Sequence, residues 1–123
     1  MIGEFESAIT EKAFLNLLKR KMKAGVVRHT ALSGNKIKRV ALCGGSGSFL
    51  IKDAISAGAD AYVTADVKYH EFFDADGKTL LCDIGHFESE QFTMDLIYSV
   101  LTDNFPNFAV HLSKIKTNPI NYF

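Results

Sequence analysis

The sequence predicts an α/β fold, a three-layer α/β/α arrangement around a mainly parallel sheet. Short apolar runs alternate with stretches of helical periodicity, the connections between them are brief, and glycine-bearing turns mark the junctions. Right-handed crossovers between parallel strands then place helices over the sheet.

The elements follow in order. Ala13, Phe14, Leu17, Leu18 and Met22 mark one face of a helix from about Thr10, its N-cap, to Ala24, with Gly25 as its stop. Val26 to Leu32 has short strand character, and Ser33-Gly34-Asn35 turns the chain into a stronger strand, Ile37 to Leu42. A Gly-rich turn leads to a helix that buries Phe49, Leu50, Ala54 and Ile55 and ends at Gly58, before a strand from Ala61 to Thr64. Asp66 is the expected N-cap of a helix from Val67 to Asp74, and Asp76-Gly77 turns into the strand Thr79 to Cys82. Phe92, Leu96, Ile97, Val100 and Leu101 recur at helical spacing from about Phe87 to Thr102. Pro106 stops that helix, and Phe108 to Leu112 reads as a last strand.

At 123 residues the chain is long enough for one domain with a core of its own. Lys plus Arg equals Asp plus Glu at 14 each, so no bulk field favours nucleic acid or an anionic membrane as partner. Cys43 and Cys82 stand in no Cys-x-x-Cys arrangement and read as reduced, buried thiols. No apolar stretch approaches a bilayer span, and Glu4 and Glu6 occupy the place where a signal peptide would be cationic, so a cytoplasmic address is expected. Met1 to Phe5 resembles the middle of a loop-to-helix junction, which suggests an excised piece.

Three strands end in unusual segments: Cys43-Gly44-Gly45-Ser46-Gly47-Ser48, Thr64 to His70, and Asp83-Ile84-Gly85-His86-Phe87-Glu88-Ser89-Glu90. In a parallel sheet their carboxyl ends share one edge, so the polar groups would line one cleft. His86 and Glu90 stand one helical turn apart, which is metal-ligand spacing, although a helix-terminus His beside an acid is the plainer account. A transition metal needs at least three ligands as a rule, so the pair is part of a site at most. Asp83 and Glu88 add negative charge that suits a cation. Asp66 and His70 are again four apart and admit a second metal pair, an oriented His base, or a cap with a surface His. Gly44, Gly45, Ser46, Gly47 and Ser48 form either a bare tight turn or an anion cradle at a helix start. The Lys of a Walker loop and the third glycine of a dinucleotide fingerprint are both missing. Lys68 and Glu71 read as solvated-face charges, and His29 and His111 as structural.

Taken together, Ala41 to Phe49, Gly58 to His70, Asp83 to Glu90 and Thr117-Asn118-Pro119-Ile120-Asn121-Tyr122 resemble the NIF-three-like proteins, often labelled GTP cyclohydrolase type-two homologues. The stretches run in family order over nearly the whole chain. The resemblance implies two related halves facing each other across a cavity with two divalent metal ions, zinc, manganese or iron. This chain resembles the second half. His86 and Glu90 match the family's carboxy-terminal ligands, with Glu90 as the bridge between ions. Asp66 and His70 become cavity residues that orient ligands or carry a proton, and residues 44 to 48 face an anion or substrate.

The family's amino-terminal half contributes a His-His dyad that this sequence lacks, so the chain alone is expected to be inactive, with the missing half as its partner and homo-oligomers implied. The expected function of the parent is dinuclear-metal hydrolysis of a nucleotide or phosphorylated small molecule, with GTP ring-opening as the activity that the label implies. The alternative is a non-catalytic metal- and ligand-binding scaffold acting through oligomerisation. Uncovered apolar surface, and hence self-association, is expected where the missing half would sit.

Overall fold

The computed structural model describes residues 1–123. Five strands form one sheet in the order β1-β3-β4-β5-β2, where β1 is Ile2–Thr10, β2 Arg28–His29, β3 Lys36–Ser46, β4 Ala61–Ala65 and β5 Leu80–Asp83. The three central strands are parallel, and β1 and β2 close the two edges antiparallel to β3 and β5. Four helices accompany them: α1 Glu11–Lys21, α2 Ile51–Ser56, α3 His86–Glu90 and α4 Thr93–Asn104, with 3₁₀ segments at Ser48–Leu50 and Tyr69–Ala75. The mainly parallel α/β expectation therefore holds.

Every residue of β4 and of β5 is buried, as suits central strands covered on both faces. Side chains alternate between two cores with the period of the pleat. Ala61, Val63, Leu80 and Cys82 pack with Phe14 and Leu18 of α1, whereas Tyr62 and Leu81 pack with Ile51 and Ala54 of α2 and with Ala75. Both crossover segments lie on the second face because the strand order β3-β4-β5 runs in one direction, and right-handed crossovers without a reversal fall on one side. The first face is covered by α1, which the antiparallel edge strands deliver. Cys82 is fully buried and burial pushes its thiol up to about 12, so it is an inert core side chain.

The Thr10 cap is present: its hydroxyl accepts from Ala13 N at 3.2 Å, and α1 carries Glu11 in its first turn and Lys19, Arg20 and Lys21 in its last. The helix stops at Lys21, short of Ala24. Ahead of it lies β1, not the loop suggested by the sequence. Its apolar residues Phe5 and Ile9 face the α1 core, but Gly3 and Ser7 dilute the strand signal and most of this edge strand is exposed. Strand character over residues 26–32 reduces to Arg28 and His29, which pair with β5, and Thr30 N extends the contact by donating to Leu81 O at 3.1 Å.

Four further expectations are corrected. The Gly-rich turn is largely strand, since β3 continues through Gly44 and Gly45 to Ser46 with its register shifting after Leu42. Asp66 caps no helix; it has φ +55°, and a 3₁₀ segment starts three residues later with Lys68 at its cap. The expected helix over residues 87–102 breaks at Gln91, whose side-chain amide donates to Met22 O at 2.8 Å, tying the junction to the end of α1. No strand forms over Phe108–Leu112, because β1 and β2 already occupy the sheet edges. The apolar stripe of α4 is exposed: Leu96, Ile97, Val100 and Leu101 cover no core.

Glu11 is buried at the start of α1, where its carboxylate accepts from Ser33 N (3.0 Å), Ser33 Oγ (2.9 Å) and Gly34 N (2.9 Å). Burial alone would raise its pKa, but these bonds outweigh it and leave it below the usual carboxylate range. The group's contribution to stability is thus fully present above the ordinary glutamate pKa and fades as pH falls through the lower folded value. Glu11→Ala is expected to cost about 2 kcal/mol in urea unfolding at neutral pH, with the gap to wild type narrowing in acid. A gap that widens in acid would contradict this role.

Candidate functional site

The carboxyl ends of β3, β4 and β5 bring the three polar segments together. The chain leaves β4 through Asp66, whose left-handed backbone is one that Asp tolerates. Its Oδ2 lies 2.6 Å from Nδ1 of His86, the first residue of α3. On the other side of the ring, Nε2 is 3.2 Å from Oε2 of Glu90, one helical turn on. Asp66 accepts from Nδ1–H; the Glu90 carboxylate also only accepts, so Nε2 donates to it when the ring is protonated and offers a lone pair when the ring is neutral. The hydrogen bond to Asp66 raises the pKa of His86, with burial opposing, and the Asp66 and Glu90 charges add to the rise.

Buried Asp83 and half-exposed Arg28 hold this constellation from beneath. Asp83, at the end of β5, accepts from Gly85 N (Oδ1, 3.0 Å) and from Val67 N (Oδ2, 3.0 Å), so it fixes the residues just before His86 and just after Asp66. Arg28 closes the clamp, with Nη1 3.2 Å from Asp83 Oδ2, Nη2 donating to Val67 O at 2.7 Å, and its guanidinium over the Phe72 ring. Gly85 has φ +91°, and a side chain there would strike Glu88 Oε2. Neither Asp83 nor Glu88 therefore offers an open carboxylate to a cation, since both are buried.

The glycine segment enters as a close-packed strand end. Gly45 N donates to Ser89 Oγ (2.8 Å), while the Gly45 and Gly47 carbonyls accept from Thr64 Oγ1 (3.1 Å) and from the Tyr62 hydroxyl (2.7 Å). Ser48 Oγ donates to Glu71 Oε1 at 2.9 Å, and Glu71 Oε2 accepts from Lys68 N at 2.7 Å. Glu71 is thus a structural brace and not a free surface charge. Ser46 is exposed and its hydroxyl makes no bond within the chain. Gly44 packs beside Glu90. His70 is exposed on the 3₁₀ segment with no side-chain partner, and it does not join the His86 cluster through any bond.

Sequence reasoning did not single out Arg28, Ser89 or the structural use of Asp83. Ser89 and Asp83 lie inside the motif that carried the resemblance, whereas Arg28 gave no signal, because β2 is two residues long and its contacts are all distant in sequence.

His86, Asp66 and Glu90 are each about half exposed on their side chains, so the constellation forms an open wall. Because Asp66 takes Nδ1, only Nε2 and the Glu90 carboxylate are available as ligands, and no set of three His, Cys, Asp or Glu side chains closes around a point. The donor types fit a divalent metal, and their number fits one edge of its shell. A cavity of about 470 Å³ adjoins His86 and Glu90, walled on its far side by residues 115–120. A separate cavity of about 270 Å³ lies by the start of β3, where the Glu11 and Asp60 carboxylates accept from backbone N–H groups and so serve the fold.

A Cβ on Gly45 would fall 2.6 Å from Glu90 Oε1 and 3.3 Å from the His86 ring, at a backbone φ of +62°. Gly45→Ala is expected to lower stability by about 1 kcal/mol and to push Glu90 off His86. NMR would read the displacement as a shift of the His86 ring protons, and unchanged ring signals would contradict the packing.

Comparison with known proteins accords with this fold. Over 99% of its length the chain is 34% identical to a "GTP cyclohydrolase 1 type 2 homolog" of Staphylococcus aureus (strain MSSA476), and 31% identical to a protein of the same description from Staphylococcus epidermidis (strain ATCC 12228 / FDA PCI 1200). It spans 34% of the length of each, about a third. Its structure is similar to that of Staphylococcus aureus protein SA1388, with a TM-score of 0.84 and 32% identity over 99% of this chain and 41% of that one. It is also similar to a Bacillus cereus protein related to NIF3, with a TM-score of 0.81 and 27% identity over 99% and 35% of the two chains. The model of one family, Duf34/NIF3 (NGG1p interacting factor 3), matches residues 1–119, and the chain belongs to that family.

Proposed function

We propose that this chain supplies one wall of a two-metal centre in a longer protein that hydrolyses or ring-opens a nucleotide or phosphorylated small molecule. The observation that carries the proposal is the His86 ring, oriented by Asp66 at Nδ1 so that Nε2 and the Glu90 carboxylate share one open side. Zinc, manganese or iron would suit a His and a carboxylate. His86 and Glu90 are the ligands, and Asp66 fixes the ring and raises its basicity. A bound divalent cation would supply Lewis acidity at the substrate's polarised bond. His70, exposed and unpartnered four residues after Asp66, is the candidate to carry a proton. In residues 44 to 48, the uncommitted Ser46 hydroxyl is the donor left for a substrate anion.

Two donors leave the shell incomplete, so the remaining ligands come from outside this chain, either from the rest of the parent or from another copy. The exposed apolar stripe of α4 supports such a partner. The same stripe favours the second reading, a scaffold that binds metal and nucleotide without turning them over and acts through its oligomer. The name of the Staphylococcus relatives points to GTP as the first substrate to try. No helix is long and apolar enough to cross a membrane.

Calorimetric titration of the intact protein with zinc and manganese tests the assignment. His86→Ala and Glu90→Ala should abolish binding at the centre, and Asp66→Asn should weaken it roughly 10- to 100-fold, the usual effect of losing a carboxylate behind a ligating His. Undiminished binding in His86→Ala would overturn it. With GTP added, product formation favours the enzyme, whereas tight binding without product favours the scaffold.

A further inference from the structure

The cavity beside His86 and Glu90 has a second wall that the metal reading does not use. Residues 115–120 form no helix or strand, yet they face the ligand pair across about 470 Å³. Ile115 is 79% exposed, and Ile120 and Met94 are each 49% exposed, so these apolar side chains contribute little to the core of the chain. The segment is shaped locally: Ile120 N donates to Asn118 Oδ1 at 3.1 Å, an Asx turn around Pro119, whose ring holds φ. A single fixed cation, Lys116, lines the cavity, and it makes no ion pair within the chain. Glu90 is its only lining carboxylate.

These features place an apolar surface and an unpaired ammonium opposite two metal-type ligands. The volume lies in the range of small-molecule sites and exceeds what an inorganic anion needs. A flat ring would cover Ile115, Pro119 and Ile120, and an anionic substituent would neutralise Lys116. We propose that residues 115–120 are the substrate-selecting wall of the centre, with Lys116 receiving the anion of a ring-bearing ligand such as a nucleoside monophosphate. The inference rests on the metal reading for what lies opposite, but Lys116 and the apolar wall recognise the ligand themselves.

The test is calorimetry on the intact manganese-loaded protein with three probes, GMP, guanosine and inorganic phosphate, in wild type, Lys116→Ala and Lys116→Arg. GMP should bind more tightly than either guanosine or phosphate. Its affinity should fall about tenfold in Lys116→Ala and be largely kept in Lys116→Arg, while guanosine and manganese binding stay unchanged. Equal GMP affinity in wild type and Lys116→Ala would overturn the proposal, as would phosphate binding as tightly as GMP. The GMP series is repeated without manganese, so a protein that takes up no metal counts against the metal centre alone, and the Lys116 comparison still decides the wall.

Discussion

The arrangement at the open edge of the sheet depends on one buried carboxylate. Asp83 ends β5 and holds Gly85 N with one oxygen, and Val67 N and the Arg28 guanidinium with the other. Those contacts fix the backbone on both sides of the Asp66–His86 bond, and they join β2, the β4 exit and the start of α3. A carboxylate buried with this set of donors is well compensated, whereas removing it would leave two N–H groups without partners and the Arg28 guanidinium held only by Val67 O and the Phe72 ring. The short Asp66–His86 contact is the consequence of this clamp at the surface.

Topology explains why the groups meet at all. β3, β4 and β5 run parallel in sequence order, so each strand ends at the same edge and each exit loop lies beside the next. The glycine segment ends the first of these strands, where Gly45 lets His86 and Glu90 approach the backbone and Ser89 bonds its N–H. Tyr62 and Thr64, fully buried on β4, hold its carbonyls from below. The exit of β4 and the helix α3 thus carry three half-exposed polar side chains on a wall that is open toward solvent.

The opposite behaviour is seen in α4 and the segment after it. Helical periodicity over residues 92–101 implies a buried stripe, yet none of α4 is buried. Periodicity reports that a face is apolar; it does not say which surface covers it. The chain spans about a third of the length of its curated relatives, and nothing within residues 1–123 covers the stripe.

Much of the fold was legible in the residues. The buried runs Ala61 to Thr64 and Thr79 to Cys82, the Thr10 cap and the glycine punctuation determine an α/β unit with parallel central strands, because burial and capping are local demands on residue type. The same local chemistry brought out His86, Glu90, Asp66 and residues 44 to 48. Tertiary structure alone decided what Asp66 does, since its side chain reaches a histidine 20 residues away and caps no helix. It also decided that β1 pairs at the edge, that the glycine turn is a strand end and that Arg28 joins the clamp. Each of these depends on groups far apart in sequence competing for the same donors and acceptors, and no local pattern records the outcome.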